Sequence, residues 1–163
     1  MQADMTRQNL AMFIEWLRPV GVGLAFLVAS LLGHDAISRF HILGPFVVVL
    51  MSGTVAFESL VLGEAASVKI GYAPNRAYQI QSGLANAATA ATALLVYALD
   101  WGRYADATIV TAMLMFFSFS AANHAANAIM ERDSKPVNLL RPARSLVLIG
   151  FLLPAMIQAL SQP

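Results

Sequence analysis

Apolar residues fill long unbroken stretches of this chain, and the polar positions between them collect in short clusters. Five stretches are long enough to predict membrane-spanning helices, at about residues 17–32, 42–62, 78–99, 108–130 and 143–160. A bilayer core requires ~20 apolar residues per helix, so the first stretch needs help from the turn before it. Residues 1–16 alternate Met5, Leu10, Phe13, Ile14 and Trp16 with Arg7, Gln8, Asn9 and Glu15. That pattern predicts a short amphipathic helix in the membrane interface, with Trp16 as anchor and Pro19 in the first turn of the span that follows. Gly44-Pro45 falls near the start of the second span and Pro154 inside the fifth, where neighbouring groups can satisfy a freed carbonyl. The expected fold is therefore all-α: a single-domain bundle of five transmembrane helices (residues 1–163) with a short N-terminal interfacial helix. A β-barrel would show alternating segments of about ten residues, which this chain lacks.

Composition agrees. Hydrophobic residues make up 58% and charged residues 12%, with mean hydropathy +0.66. A soluble domain carries about 25% charged residues. The net charge of +1 gives no basic face for nucleic acid. With no cysteine, disulfides, thiolate metal sites and cysteine nucleophiles are excluded. The apolar run after Arg18 has the look of a secretion signal, but four more apolar segments follow, so the chain is read as uncleaved.

The positive charges orient the bundle. Five spans put Arg7, Arg18, Lys69, Arg76, Arg132, Lys135, Arg141 and Arg144 on one side and only Arg39 and Arg103 on the other. The richer side is cytoplasmic by the positive-inside rule, and so is the N-terminus. If the first span failed to cross, this asymmetry would blur.

Polar residues within the spans are expensive and therefore informative. Glu58 lies one turn inside the second span, with Thr54 a turn deeper on the same face. Gln79, Ser82, Asn86 and Thr89 share an arc of roughly 80° on the third. Ser120, Asn123, His124, Asn127 and Glu131 share an arc of roughly 100° on the fourth. The topology brings Glu58, Gln79, Ser82, Asn86, Asn123, His124 and Asn127 into the cytoplasmic half. Arg141 and Arg144 enter from the same side, with Glu64 and Glu131 at the mouth. The external half reads as almost purely apolar, and His34, Asp35 and His41 read as a solvated loop.

A plainer reading stands beside this one. Buried amides often only join helices, at about 0.6 kcal/mol per bond. Glu58 and His124 can likewise form a buried salt bridge or hydrogen-bonded pair, with Arg141 or Arg144 as partner. No ligand spacing supports a metal site, and no phosphate loop, nucleotide fingerprint, nucleophile elbow or haem motif occurs, so no cofactor is expected. Gly83, Ala87 and Ala91, and Ser118, Ala122 and Ala126, have small-xxx-small spacing suited to close packing within the chain or in a homodimer. Met113, Met115, Phe116, Phe117 and Phe119 read as core or lipid-facing residues. Two tryptophans are too few for the tryptophan-rich five-span sensory proteins of similar length.

The run Gly53-Thr-Val-Ala-Phe-Glu58, the stretch Tyr78-Gln-Ile-Gln-Ser-Gly83 with Asn86, and Ala121-Ala-Asn-His124 resemble small uncharacterised bacterial inner-membrane proteins. The resemblance runs from about His41 onward. It implies a multi-pass protein of the bacterial plasma membrane and carries no activity or residue roles.

Three functions fit these features. The first is binding or transport of a small solute, ion or proton at Glu58, Gln79, Ser82, Asn86, Asn123, His124, Asn127 and Arg141. The second is a membrane-embedded enzyme in which Glu58 and His124 act as an acid–base pair on a lipid-like substrate. The third is an accessory subunit whose polar face meets a partner helix.

Overall fold

The computed structural model describes residues 2–70, 73, 75–130 and 136–163. These form helices α1 (Gln2–Leu32), α2 (Ala36–Phe57), a π-helical turn (Glu58–Leu62), α3 (Gly63–Ile70), α4 (Arg76–Ala98), α5 (Arg103–Met130) and α6 (Pro136–Leu160), with no strand among the described residues. Four helical stretches are long and apolar enough to cross a membrane: Met5–Leu32, Ala36–Ala65, Arg103–Met130 and Leu140–Leu160. The architecture is that of a multi-pass helical membrane protein.

The amino-terminal region departs from expectation. No separate interfacial helix precedes the first span: α1 runs unbroken from Gln2 and carries Pro19 in its interior. Proline removes only the bond its own N–H would give to the carbonyl four residues back, here that of Glu15, and the flanking turns carry the helix across the gap. Ala11 and Ile14 on this first half pack with Leu62 beneath the π turn, a tertiary contact that fixes the helix axis.

α2 is the central element. It packs against α1, α4, α5 and α6, and α5 also packs against α6 and α4. Its capping is well formed. The Asp35 carboxylate accepts from the Ser38 amide at 2.7 Å, and the Ser38 hydroxyl accepts from the Asp35 amide at 3.0 Å. The core, including Phe40, Leu43, Val47, Val48, Val110, Met113 and Leu152, fills the half of the bundle near the α1–α2 connection. Outside it, Leu24, Leu84, Leu95, Phe119, Leu146 and Phe151 are exposed, an apolar girdle suited to lipid.

Close approach of α4 to the π turn depends on Gly83. A Cβ there would lie 2.7 Å from Leu60 Cγ and 3.1 Å from Ser59 Cβ. This glycine of the small-residue stripe is therefore used within the chain. Ala122 and Ala126 of the other stripe are exposed.

Candidate functional site

The strongest polar feature is an ionic network between α1, α2 and α6. Arg18 on α1 is its hub. One terminal nitrogen of Arg18 donates to Glu58 at 2.6 Å, the other to Glu15 at 3.2 Å, and Nε donates to the Thr54 hydroxyl at 2.9 Å. Arg144 on α6 closes the network by donating to the second oxygen of Glu15. Two arginines and two glutamates thus balance. The Arg18, Glu58 and Glu15 side chains are 13%, 10% and 11% exposed. Local structure explains the convergence. Glu15 and Arg18 are one turn apart on α1, and Thr54 in the last turn of α2 lies one turn before Glu58. Glu58 opens the π turn, whose wider winding displaces its carbonyls from ordinary helical bonding. Arg76 at the start of α4 meets two of them, donating to the carbonyls of Ser59 and Leu60 at 3.1 and 3.0 Å.

The depth of the network follows from helix rise. Arg18 is fourteen residues from Leu32, and Thr54 eighteen from Ala36, or about 21 and 27 Å. With Leu32 and Ala36 taken at one face of a hydrocarbon core ~30 Å thick, that rise puts the ion pairs just inside the other face.

The other predicted site residues separate into groups. Gln79 is buried and donates to Ser67 at 2.6 Å. Asn86 is buried and donates to the Ser82 carbonyl at 2.9 Å. With Ser52 and Thr89 it lines a cavity of about 120 Å³ closed by Ile109, Met113 and Phe116. His124, Asn127 and Arg141 are half-buried on α5 and α6. Asn123 is exposed and Glu64 faces outward. Glu131, Arg132 and Lys135 lie outside the described residues, as does the side chain of Lys69.

The structure pairs Glu58 with Arg18 of α1. The π turn packs on α1, α2, α3 and α4, whereas α5 packs on α2, α4 and α6. The described ion-pair partner of Glu58 is Arg18, and Arg144 turns to Glu15. Spacing within single helices could not reveal this, because Arg18 reads as a flank of the first span until α1 is laid against α2.

A second polar group occupies the half expected to be apolar. His41 belongs to α2, not to a solvated loop. Its Nδ1 lies 2.9 Å from Oδ2 of Asp106, its Nε2 lies 3.8 Å from Oδ1 of Asp100, and its ring stacks on Tyr97 at 5.0 Å. Asp106 is fully buried. The sequence signal was available: Asp106 stands three residues into α5, on the stripe that continues through Ile109 and Met113.

A 390 Å³ groove between α1 and α2 is lined by Leu10, Phe13, Leu17, Leu50 and Phe57, with Thr54 as its polar member. Among the described residues no cluster of three or more His, Asp or Glu is arranged to hold a metal ion.

No curated protein and no solved structure matches the chain. The matching family model begins at residue 34, so it takes in His41, Glu58, Asp106 and Arg144 and leaves Glu15 and Arg18 upstream. Residues 34–162 match the model of the family of unknown function DUF6790, and the chain belongs to that family.

Proposed function

We propose that this is a five-span protein of the bacterial plasma membrane, amino terminus in the cytoplasm, that binds a proton or small cation at Glu58 and moves it through the bundle. The observation that carries this reading is the 2.6 Å Arg18–Glu58 pair, buried between two helical stretches long and apolar enough to cross a membrane. Removing two charges from water usually costs more than their attraction returns, so a buried pair is poorly explained by stability alone. Intramembrane ionisable groups mark ion and proton pathways. Arg18 then serves as the internal counter-ion that Glu58 releases when it takes up its cargo. The cavity of Ser52, Asn86 and Thr89 supplies polar atoms deeper in the bundle.

The fifth span in this reading is α4, which has 23 residues but falls short of the other four in hydropathy. The outward Thr92 hydroxyl bonds to its own backbone, donating to the Ala88 carbonyl at 2.9 Å, which removes it as a polar group facing lipid.

The test is proton flux into dye-loaded proteoliposomes under an imposed pH gradient with valinomycin. Glu58→Gln is expected to lose at least about tenfold in rate, equivalent to 1.4 kcal/mol in the barrier. Parent-level flux in that variant overturns the reading.

The groove beside Thr54 favours one alternative, an amphipathic ligand with its chain along Phe13 and Leu50 and its polar end towards Arg18. Ordered lipid in that groove after purification, with no flux, would favour it. A membrane-embedded enzyme with Glu58 and His124 as an acid–base pair on a lipid-like substrate is a further alternative. The exposed Ala122–Ala126 face remains the surface for a homodimer or partner helix.

A further inference from the structure

The external half holds three acid–base groups in descending order of exposure. The side chains of Asp100, His41 and Asp106 are 84%, 20% and 0% exposed. They form a continuous line, with His41 Nε2 3.8 Å from Asp100 and His41 Nδ1 2.9 Å from Asp106. The imidazole is clamped in that orientation by the Tyr97 ring. Asp100 is placed at the mouth by the turn that joins α4 to α5, where it adopts φ 46° beside Gly102 at φ 85°. The inner oxygen, Oδ1 of Asp106, is buried with no hydrogen-bond partner among the described residues. A carboxylate buried in that way is too costly to hold as a bare anion. It needs either a proton of its own or an imidazolium beside it. Both states carry the same number of protons, so the loaded pair is neutral, with one proton on Nε2 and one shared across Nδ1 and Oδ2.

We propose that Asp100, His41 and Asp106 form an outward-facing proton-binding relay. The inference rests on the transport reading above and names the proton as its cargo. In the unloaded pair, at net charge −1, the single imidazole proton sits on Nδ1 towards Oδ2 of Asp106 and Nε2 is bare; external hydronium gives a proton to Nε2 and leaves as water, the Nδ1 proton passes to Oδ2, and the pair reaches its neutral loaded state. The exposed Asp100 carboxylate concentrates protons at the mouth. Asp106 is the innermost member. It stands on the α5 face that continues through Ile109 and Met113, which line the Ser52–Asn86 cavity.

The neighbouring charged groups leave this line clear. On α2, Arg39 is turned back to the Gly33 carbonyl at 3.2 Å, and Asp35 is engaged with Ser38 at the helix start. On α5, Arg103 donates to the carbonyls of Gln162 and Pro163 and lies over Tyr104. The outer end of α6, from Leu153 on, carries no ionisable side chain, and the outer end of α1 leads only to His34.

The experiment pairs two readouts on full-length protein. In nanodiscs, ¹⁵N-histidine spectra are recorded between about pH 5 and 8, with His34→Gln and His124→Gln used to assign His41. The expected result is that Nε2 gains a proton as pH falls, while Nδ1 shows a strong hydrogen bond that vanishes in Asp106→Asn. In proteoliposomes, His41→Gln and Asp106→Asn are expected to lose about tenfold in proton flux, and Asp100→Asn about threefold with the deficit shrinking at high salt. A His41 ring whose protonation does not change over that range, or whose spectrum is the same in Asp106→Asn, overturns the relay. So does parent-level flux in Asp106→Asn when Glu58→Gln is inactive, and that outcome leaves the wider transport reading standing. Absence of flux in the parent with a titrating, Asp106-bonded His41 overturns transport and keeps the proton site.

Discussion

Arg18 gives the sharpest test of the energetics. Replacing it with methionine keeps the long apolar stem and deletes the guanidinium. Glu58 loses its 2.6 Å partner, Glu15 its 3.2 Å partner, and Thr54 the donor to its hydroxyl. Two carboxylates then share Arg144, and the network carries a net charge of −1. Breaking a buried pair by removing one member costs about 3–5 kcal/mol. Arg144 remains to hold Glu15, so Arg18→Met belongs at the low end, about 3 kcal/mol. Glu58→Leu costs less, about 1–2 kcal/mol, because Arg18 keeps Glu15 and Thr54. The double variant Arg18→Met with Glu58→Leu removes one charge of each sign and leaves Glu15 with Arg144. A buried pair replaced by apolar residues of similar volume is close to neutral. The double variant should therefore be more stable than Arg18→Met alone, with a coupling energy of at least about 2 kcal/mol. The assay is reversible unfolding in mixed micelles by titration with denaturing detergent, following helical circular dichroism. If both single variants lie within about 0.5 kcal/mol of the parent and their effects add, the network does not exist as described.

Three further outcomes follow from single positions. Because the chain has no native cysteine, Thr6→Cys and Ser161→Cys can be labelled with an impermeant maleimide; five spans predict opposite sides, and labelling from the same side would refute them. Gly83→Ala should destabilise by about 1–2 kcal/mol through the clash with Leu60 and Ser59, whereas Gly23→Ala, with nothing within 4 Å, should be neutral or slightly stabilising by the same unfolding assay. Asp35 is held below the ordinary carboxylate value of 3.8, chiefly by the amide of Ser38, so its contribution is complete above that value and is lost as pH falls through the lowered native one. The gap in thermal midpoint between parent and Asp35→Ala should therefore be constant from pH 5 to 7 and narrow below about pH 4, and a gap that widens on acidification would contradict the cap.

The membrane character was legible in the sequence because it depends on a sum. Lipid as solvent demands long apolar segments, and hydropathy adds along the chain whatever the helices touch. Intrahelical polar stripes were legible for the same reason, since the 100° step places Thr54 near Glu58 and Asn86 near Gln79 without a partner. What stayed hidden was every pairing between helices. Arg18 reads as a span boundary and His41 as a loop residue until α1, α2 and α5 are set side by side. The continuous α1 was hidden too, because a pattern broken by Pro19 looks like two elements unless packing on α3 holds them as one. Local sequence determined which faces are apolar. Only the tertiary structure decided which charge meets which, because an ion pair inside a bundle is chosen by the depth and rotation of two helices whose registers no single helix encodes.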